Sequence, residues 1–303
     1  SNWDETLHFP AAELREAAAL GFAAIYVPEE HGGTGLTRLD AALIFEELAA
    51  ADPSTAAFLT IHNMVAGMIA RFGNDDQRAR FLPKILTAEH FVSYCLTEPG
   101  SGSDAAALRT RAVRDGDHYV LDGTKRYITN APSAGLFTVM ARTGAGRSAD
   151  AISCFLVEAG TPGLSLGKPD RKMGMAGSLT CDVIFENCRV PRTALLGGEE
   201  GNGFRTAMRV LDKGRLHIAA LCVGMAERLI REAVRFAVNR KQFGAPIAEF
   251  QLVQAMIADS RAEAYAAGCM VLDGARKRDR GEPTTLEAAC AKMFASEMVG
   301  RVA

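Results

Sequence analysis

The hydrophobic period of this chain changes twice, from helical to β and back to helical, and the two changes divide its 303 residues into three blocks. Residues 11 to about 90 carry the helical period. A short Ala/Leu/Glu helix runs from Ala11 to Leu20 and stops at Gly21. Thr37 caps a helix reaching Ala51, with Leu39, Leu43 and Leu48 on its buried side. Asp52-Pro53-Ser54 breaks the pattern, a second apolar helix runs from about Ser54 to Phe72 and ends at Gly73, and Asn74 caps another that carries Arg78, Phe81 and Leu82.

From Phe91 to about Leu196 the pattern is that of strands. His118 to Leu121, then Asp122-Gly123, then Thr124 to Ile128 reads as a hairpin with Asp-Gly as its two-residue turn. Leu136–Ala141, Ile152–Val157 and Cys181–Phe185 are further strands, with Gly and Pro between them, as at Gly160-Thr-Pro-Gly163. From about Gly203 the helical period returns. One pattern runs from Phe204 to about Arg240, a second from about Pro246 to Arg280, and a third opens at Pro283-Thr284-Thr285 and is still running at Ala303. A pattern that stops without a C-cap residue leads us to expect that the natural protein continues, and the Ser1-Asn2 opening has the look of a tag scar. The expected fold class is α+β multidomain, with domains at 1–92, 93–198 and 199–303.

The chain is 48% hydrophobic and 23% charged with a formal net charge of -2, which gives nucleic acid or an anionic membrane surface little to bind. No stretch approaches the length of a membrane span. Its 7 cysteines include no C-x-x-C pair and no partnering His spacing, so a zinc site is not expected, and their apolar surroundings fit a reducing compartment.

Tyr94-Cys-Leu-Thr-Glu-Pro-Gly-Ser-Gly-Ser-Asp104 lies where the first helical block meets the β block. It offers hydroxyls at Thr97, Ser101 and Ser103, and glycines that let backbone N–H groups approach a ligand. On that chemistry alone a surface loop between domains is the favoured reading. It is neither a Walker loop nor a Rossmann glycine fingerprint, because the spacing and strand-to-helix context are wrong for both. At every position, however, the run resembles the first signature of the acyl-CoA dehydrogenases. Thr124-Lys-Arg-Tyr-Ile-Thr-Asn130 is similar to the second flavin-side strand of that family. Asn239-Arg-Lys-Gln-Phe-Gly244, followed by Phe250-Gln251, is similar to its Arg-x-Gln-Phe-Gly element. Gly32-Gly-Thr-Gly35, Lys172-Met-Gly174 and Val190-Pro191 fall in family order, and Ile61-His-Asn-Met64 is similar to the isobutyryl-CoA branch.

The resemblance implies an N-terminal helical domain, a central barrel-like or sandwich β domain, and a C-terminal four-helix bundle that is incomplete here. It implies FAD-dependent α,β-dehydrogenation of a short or branched acyl-CoA, with the α proton going to a carboxylate and the β hydride to flavin N5. The flavin would be bound non-covalently. Thr97 would donate to its pyrimidine end and Thr129 would lie near N5, where negative charge builds up on reduction. Tyr94 and Leu96 would supply backbone contacts, with Ile128 beside them, and Tyr127 would pack against the ring. Without the resemblance, Thr129 is a strand threonine of high β propensity. Ser103, Asp212 and Arg215 would contact the coenzyme A arm; otherwise the last two form an ordinary ion pair three apart on a helix. Arg240 lies 28 positions after Asp212, about 42 Å along a continuous helix at about 1.5 Å per residue, so the two cannot serve one end of one site in the same subunit. In the family this arginine reaches the FAD diphosphate of a neighbouring subunit, with Gln242 and Phe243, which implies a homo-oligomer, a tetramer in the family. The alternative is a solvated helix end with Gly244 as its stop.

The catalytic base is expected C-terminal to Ala303. A minority of the family carry it immediately before the helix arginine, where this chain has Gly214. Glu98 occupies a structural position in the signature, and Glu46 and Glu47 read as a solvated helix face. The family passes its electrons to an electron-transfer flavoprotein, and the expected location is the bacterial cytoplasm or the mitochondrial matrix. The same scaffold also serves acyl-CoA oxidases, nitroalkane oxidases, flavin monooxygenases and catalytically inactive relatives.

Overall fold

In the computed structural model, which describes residues 3–146 and 148–303, two helix starts fall where the sequence supplies caps, and Ser1-Asn2 lies outside the described residues. Helix α1 (Ala11–Ala19) is followed by α2 (Arg38–Ala51), α3 (Pro53–Phe72) and α4 (Asp75–Leu86). At α2, the Thr37 hydroxyl accepts from the Asp40 N–H at 3.1 Å while the Asp40 carboxylate accepts from the Thr37 N–H at 2.9 Å. Asn74 and Gln77 repeat the device at α4, at 2.9 and 3.2 Å. Gln77, only 3% exposed, also donates to the carbonyls of Thr193 and Leu195 at 2.9 and 2.8 Å. One cap thus fastens α4 to the segment that leaves the sheet.

The strands are β1 (Phe91–Cys95), β2 (Arg111–Asp115), β3 (His118–Thr129), β4 (Ala134–Arg142), β5 (Ile152–Glu158), β6 (Leu164–Leu166) and β7 (Thr180–Pro191). They form a seven-stranded sheet in the order β1-β4-β2-β3-β7-β6, with β5 also paired to β4. β1 runs parallel to β4, and β3 runs antiparallel to both β2 and β7. Alternate residues of β4 enter two cores: Leu136 and Met140 pack with Val65, Ile69 and Phe81 of the helices, while Phe137 and Val139 pack with Tyr119, Ile128 and Phe155. A strand buried on both faces reads as a largely apolar run, as β4 does from Leu136 to Ala141 with Thr138 inside it.

The expected hairpin at Asp122-Gly123 is absent. β3 is a single strand, and Gly123 takes φ 146 at a register shift against β7. A Cβ there would lie 2.6 Å from the Thr110 hydroxyl, so close packing requires this glycine, not a chain reversal. The reversal comes earlier, at Gly116-Asp117, between the paired Asp115 and His118.

The chain forms two compact units: residues up to Leu36 with Ile61–Leu211, and Thr37–Thr60 with Asp212–Ala303. The second holds α2, most of α5 (Gly203–Asn239), a small hairpin of β8 (Lys241–Gln242) and β9 (Ala245–Pro246), α6 (Gln251–Asp279) and α7 (Thr285–Val302). Helix α6 starts later than Pro246 because Ala245 and Pro246 are paired in the hairpin. The buried side of α2 is also not the one expected. Leu43 is 46% exposed and Leu39 and Leu48 are half-buried, whereas Ala41, Ala42, Phe45, Ala49 and Ala50 are buried. α2 passes so near α5 that a Cβ on Gly224 would lie 2.0 Å from the Glu46 carbonyl, and only a stripe of small residues fits that crossing.

The same crossing half-buries Glu46, which therefore is no solvated face, while Glu47 is exposed. Burial, then the charges of Glu227 and Glu47, raise the Glu46 pKa. A raised carboxyl contributes stability at acid pH that is lost as pH rises through its folded pKa. Glu46→Gln is therefore expected to raise the melting temperature at neutral pH and to change it little in acid; an equal effect at both would refute the assignment.

A second charge lies deeper. The Lys125 side chain is 0% exposed, and its ammonium donates to the Glu98 carboxylate at 2.8 Å and to the Leu96 carbonyl at 3.1 Å. Glu98 also accepts from the N–H groups of Arg109 and Thr110 at 2.6 and 2.9 Å. Burial opposes its charge, but Lys125 and these donors outweigh burial and hold the carboxyl below its usual pKa. The contribution of Glu98 is present above the ordinary carboxylate range and falls away as pH drops through the lowered value. Lys125→Met leaves a buried carboxylate uncompensated, at an expected cost of about 3–5 kcal/mol in denaturant unfolding. Adding Glu98→Gln should recover part of that loss, and a double variant as unstable as the sum of the singles would overturn the coupling.

Candidate functional site

Two segments separated by about thirty residues meet at the ends of β1 and β3. The Ser93 hydroxyl donates to the Thr129 carbonyl at 2.9 Å, and the Arg126 N–H donates to the Thr97 carbonyl at 2.8 Å. With the Lys125–Leu96 bond, these contacts bring Tyr94, Leu96 and Thr97 together with Tyr127, Ile128 and Thr129. Leu96 and Ile128 bury their side chains in the two cores, so what they can offer a ligand is backbone. Thr97 and Thr129 are half-buried. Tyr127 is 63% exposed, at φ 60, where the β3–β7 register shifts between Lys125 and Ile128. That irregularity turns its ring out of the alternation that buries Lys125 and Ile128.

The loop after Thr97 is a tight turn in which Glu98 and Ser101 exchange backbone hydrogen bonds at 2.9 and 3.1 Å. The Ser101 hydroxyl is committed to the Asp104 carbonyl at 2.6 Å, while Ser103 stands exposed. A Cβ at Gly100 or Gly102 would meet nothing within 4 Å, so this rim is open to an approaching molecule.

Two neighbouring residues carry signals that the sequence reading did not use. Asn130 is 2% exposed at φ 69, and neither its amide nitrogen nor its amide oxygen has a protein partner. Arg126 donates to Asp182 at 2.7 Å and to Asp170 at 3.0 Å, and its guanidinium lies 4.6 Å from the centroid of the Tyr127 ring. The Tyr94 hydroxyl is likewise buried without a partner. Buried polar groups left in this state mark places where a ligand or water completes the bonding. Two half-buried threonines in segments that meet at an exposed tyrosine, with backbone groups at two strand ends, suit a flat heteroaromatic ring that has acceptors on its edge.

In the second unit Arg215 is ion-paired with Asp212, whose other carboxylate oxygen accepts from the Thr285 hydroxyl at 3.0 Å. Thr285 is thus not a capping residue of α7, and Thr284 makes no side-chain cap either. Gly214 lies between Asp212 and Arg215 on α5. Arg240, Gln242 and Phe243 sit exposed where α5 ends. Phe243 and Gly244, at φ 53 and 82, are the two centre residues of the β8–β9 hairpin, so Gly244 makes a turn and does not stop the helix. Phe243 is 97% exposed and edge-on to Phe250 at 6.1 Å. Glu98 has both oxygens engaged and is not poised to take a proton. Among the described residues no group of three or more His, Cys, Asp and Glu could hold a metal ion, and no helix is long and apolar enough to cross a membrane.

Family profiles described as the acyl-CoA dehydrogenase N-terminal, middle and C-terminal domains match residues 1–89, 93–188 and 201–303. The chain is 47% identical over 296 residues to the mitochondrial isobutyryl-CoA dehydrogenase of Dictyostelium discoideum, covering 97% of this chain and 71% of that protein. It superposes on butyryl-CoA dehydrogenase from Megasphaera elsdenii with a TM-score of 0.95 at 35% identity, over 99% of this chain and 80% of the other. A structure described as the FAD complex of PigA aligns with a TM-score of 0.94 at 28% identity, over 98% of this chain and 78% of the other. N-terminal helices, a central curled sheet and C-terminal helices, in that order, are the fold of these proteins, and the chain belongs to the acyl-CoA dehydrogenase family.

Proposed function

We propose that this protein binds FAD non-covalently and dehydrogenates a short or branched acyl-CoA, isobutyryl-CoA first, to the 2-enoyl-CoA. The observation that supports the proposal is the joining of the Thr97 carbonyl to β3 and of the Thr129 carbonyl to β1, which brings the two segments together next to the exposed Tyr127. The 47% identity to an isobutyryl-CoA dehydrogenase supports the substrate class, and a neighbour solved as an FAD complex supports the cofactor. When bound, FAD supplies the acceptor for the β hydride.

The protein's part is binding, orientation and proton transfer. Thr97 and Thr129 donate to the ring edge, where charge accumulates on reduction. Tyr127 covers the ring, and the backbone of Tyr94, Leu96 and Ile128 lines its rim. Arg240 and Gln242 of a neighbouring subunit pair with the diphosphate, with Phe243 alongside, in a homotetramer. Ser103, Asp212 and Arg215 hold the coenzyme A arm, and the Thr285 bond orients Asp212. The α proton goes to a glutamate C-terminal to Ala303; the position before Arg215 is Gly214, and Glu98 is committed to Lys125. The electrons pass on to an electron-transfer flavoprotein, in a bacterial cytoplasm or a mitochondrial matrix. Three domains, at 1–92, 93–198 and 199–303, carry these parts.

Anaerobic addition of isobutyryl-CoA to the purified protein is expected to bleach its visible flavin band, with slow recovery in air. Absence of a flavin band, or a band that no acyl-CoA bleaches, would sink the proposal, and a clear preference for octanoyl-CoA over isobutyryl-CoA and butyryl-CoA would overturn the substrate class. Thr129→Ala is expected to keep the flavin but lower kcat by roughly 10²-fold, the usual loss for one aligned donor. Thr129→Ser should restore most of it; equal losses in both variants would show that the hydroxyl is not the working group.

A further inference from the structure

We infer that Arg126, held between Asp170 and Asp182, is a positioning residue that fixes the ring of Tyr127 where the flavin packs, an inference that rests on the FAD assignment above. Tyr127 needs such a restraint. Its φ of 60 lies in the left-handed region that disfavours residues with a Cβ, and its side chain is 63% exposed, so the cores do not hold it. Lys125 and Ile128 on either side are buried and cannot move with it. What Tyr127 does have is a guanidinium over its face at 4.6 Å.

Arg126 is itself fixed at three points, two of them on the guanidinium. The Arg126 backbone N–H is bonded to Thr97, Nη1 donates to Asp182 at 2.7 Å and Nη2 donates to Asp170 at 3.0 Å. Asp182 lies on β7, and Asp170 lies in the segment that returns to it, where the Asp170 N–H donates to the Thr180 carbonyl at 2.8 Å. The three side chains are between 22% and 30% exposed, shielded enough for the charges to interact firmly. The other Asp170 oxygen is buried without a partner, so Arg126 carries the bonding of that carboxylate. A planar fork can bridge two carboxylates and still lay its face on an aromatic ring, which a lysine ammonium cannot do. Arg126 touches neither ring edge nor thioester; it acts through Tyr127.

The test uses the complete protein labelled with 3-fluorotyrosine, with the Tyr127 signal assigned by Tyr127→Phe. Residues 1–303 hold 5 tyrosines, and the other four of these report whether the fold survives. In the parent protein the Tyr127 fluorine signal is expected to be a single sharp line. Arg126→Met and the milder Asp182→Asn should shift or broaden that line while leaving the other four in place, and Arg126→Lys should not rescue it. Bound-flavin fluorescence, quenched by a stacked tyrosine, should rise several-fold in Arg126→Met. A Tyr127 line unchanged in Arg126→Met and Asp182→Asn overturns the inference. A line that moves in protein shown to hold no flavin supports the restraint on Tyr127 and refutes the FAD assignment separately.

Discussion

One buried ion pair sets the geometry of the candidate site. Lys125 has no exposed side-chain surface, and its charge is tolerated because Glu98 and the Leu96 carbonyl meet it. Glu98 in turn takes the N–H groups of Arg109 and Thr110, so one carboxylate holds the turn at 98–101 and the entry to β2. Both Glu98 oxygens and the Lys125 ammonium are spent within the cluster. The turn from Thr97 to Ser103 therefore hangs from a rigid base, with the Ser101 hydroxyl spent on the Asp104 carbonyl and Ser103 standing exposed. Buried pairs of this kind are poor sources of net stability but strong sources of register, because any other alignment of β3 leaves a bare charge in the core.

Local signals in the sequence placed what depends on local chemistry. Thr37 with Asp40 and Asn74 with Gln77 are caps spaced three apart, and they start helices where they stand. The apolar residues from Leu136 to Ala141 mark a strand, and β4 is one, covered on both faces. Signals of the same strength failed where distant chain intervened. Asp122-Gly123 has the composition of a turn, but the glycine is there because Thr110 passes within 2.6 Å of its missing Cβ. The leucines of α2 look like its core face, but α5 approaches so closely that alanines fill the contact. Pro246 looks like a helix start and is instead half of a strand pair with Lys241.

The candidate site shows the same division. The loop at 94–104 and the strand at 124–130 were legible as motifs, yet nothing in either segment says that they touch. That follows from Ser93 reaching Thr129 and Arg126 reaching Thr97, across a sheet order that interleaves β1, β4, β2 and β3. Long-range caps were invisible for a related reason. Asp279, at the end of α6, accepts from the N–H groups of Arg38 and Leu39 at 2.7 and 3.0 Å, completing a helix start 240 residues away in sequence. In the sequence that aspartate is one charge among several in a basic stretch.

Three consecutive residues concentrate the chemistry of β3. In a regular strand Lys125 and Tyr127 would share a face, and Arg126 the other. A buried Lys125 would then draw Tyr127 into the core with it. The register shift between Lys125 and Ile128 breaks that link: Ile128 returns to the core, and Tyr127 is left outside at positive φ. Such a bulge would be loose in isolation. Here it is closed from within by the Lys125 ion pair and from without by Arg126 across Asp170 and Asp182. Adjacent residues thus carry salt bridges that do different work, one buried at Lys125 and two at the rim from Arg126. The inner one fixes where the backbone lies, and the outer two fix what the exposed ring can do.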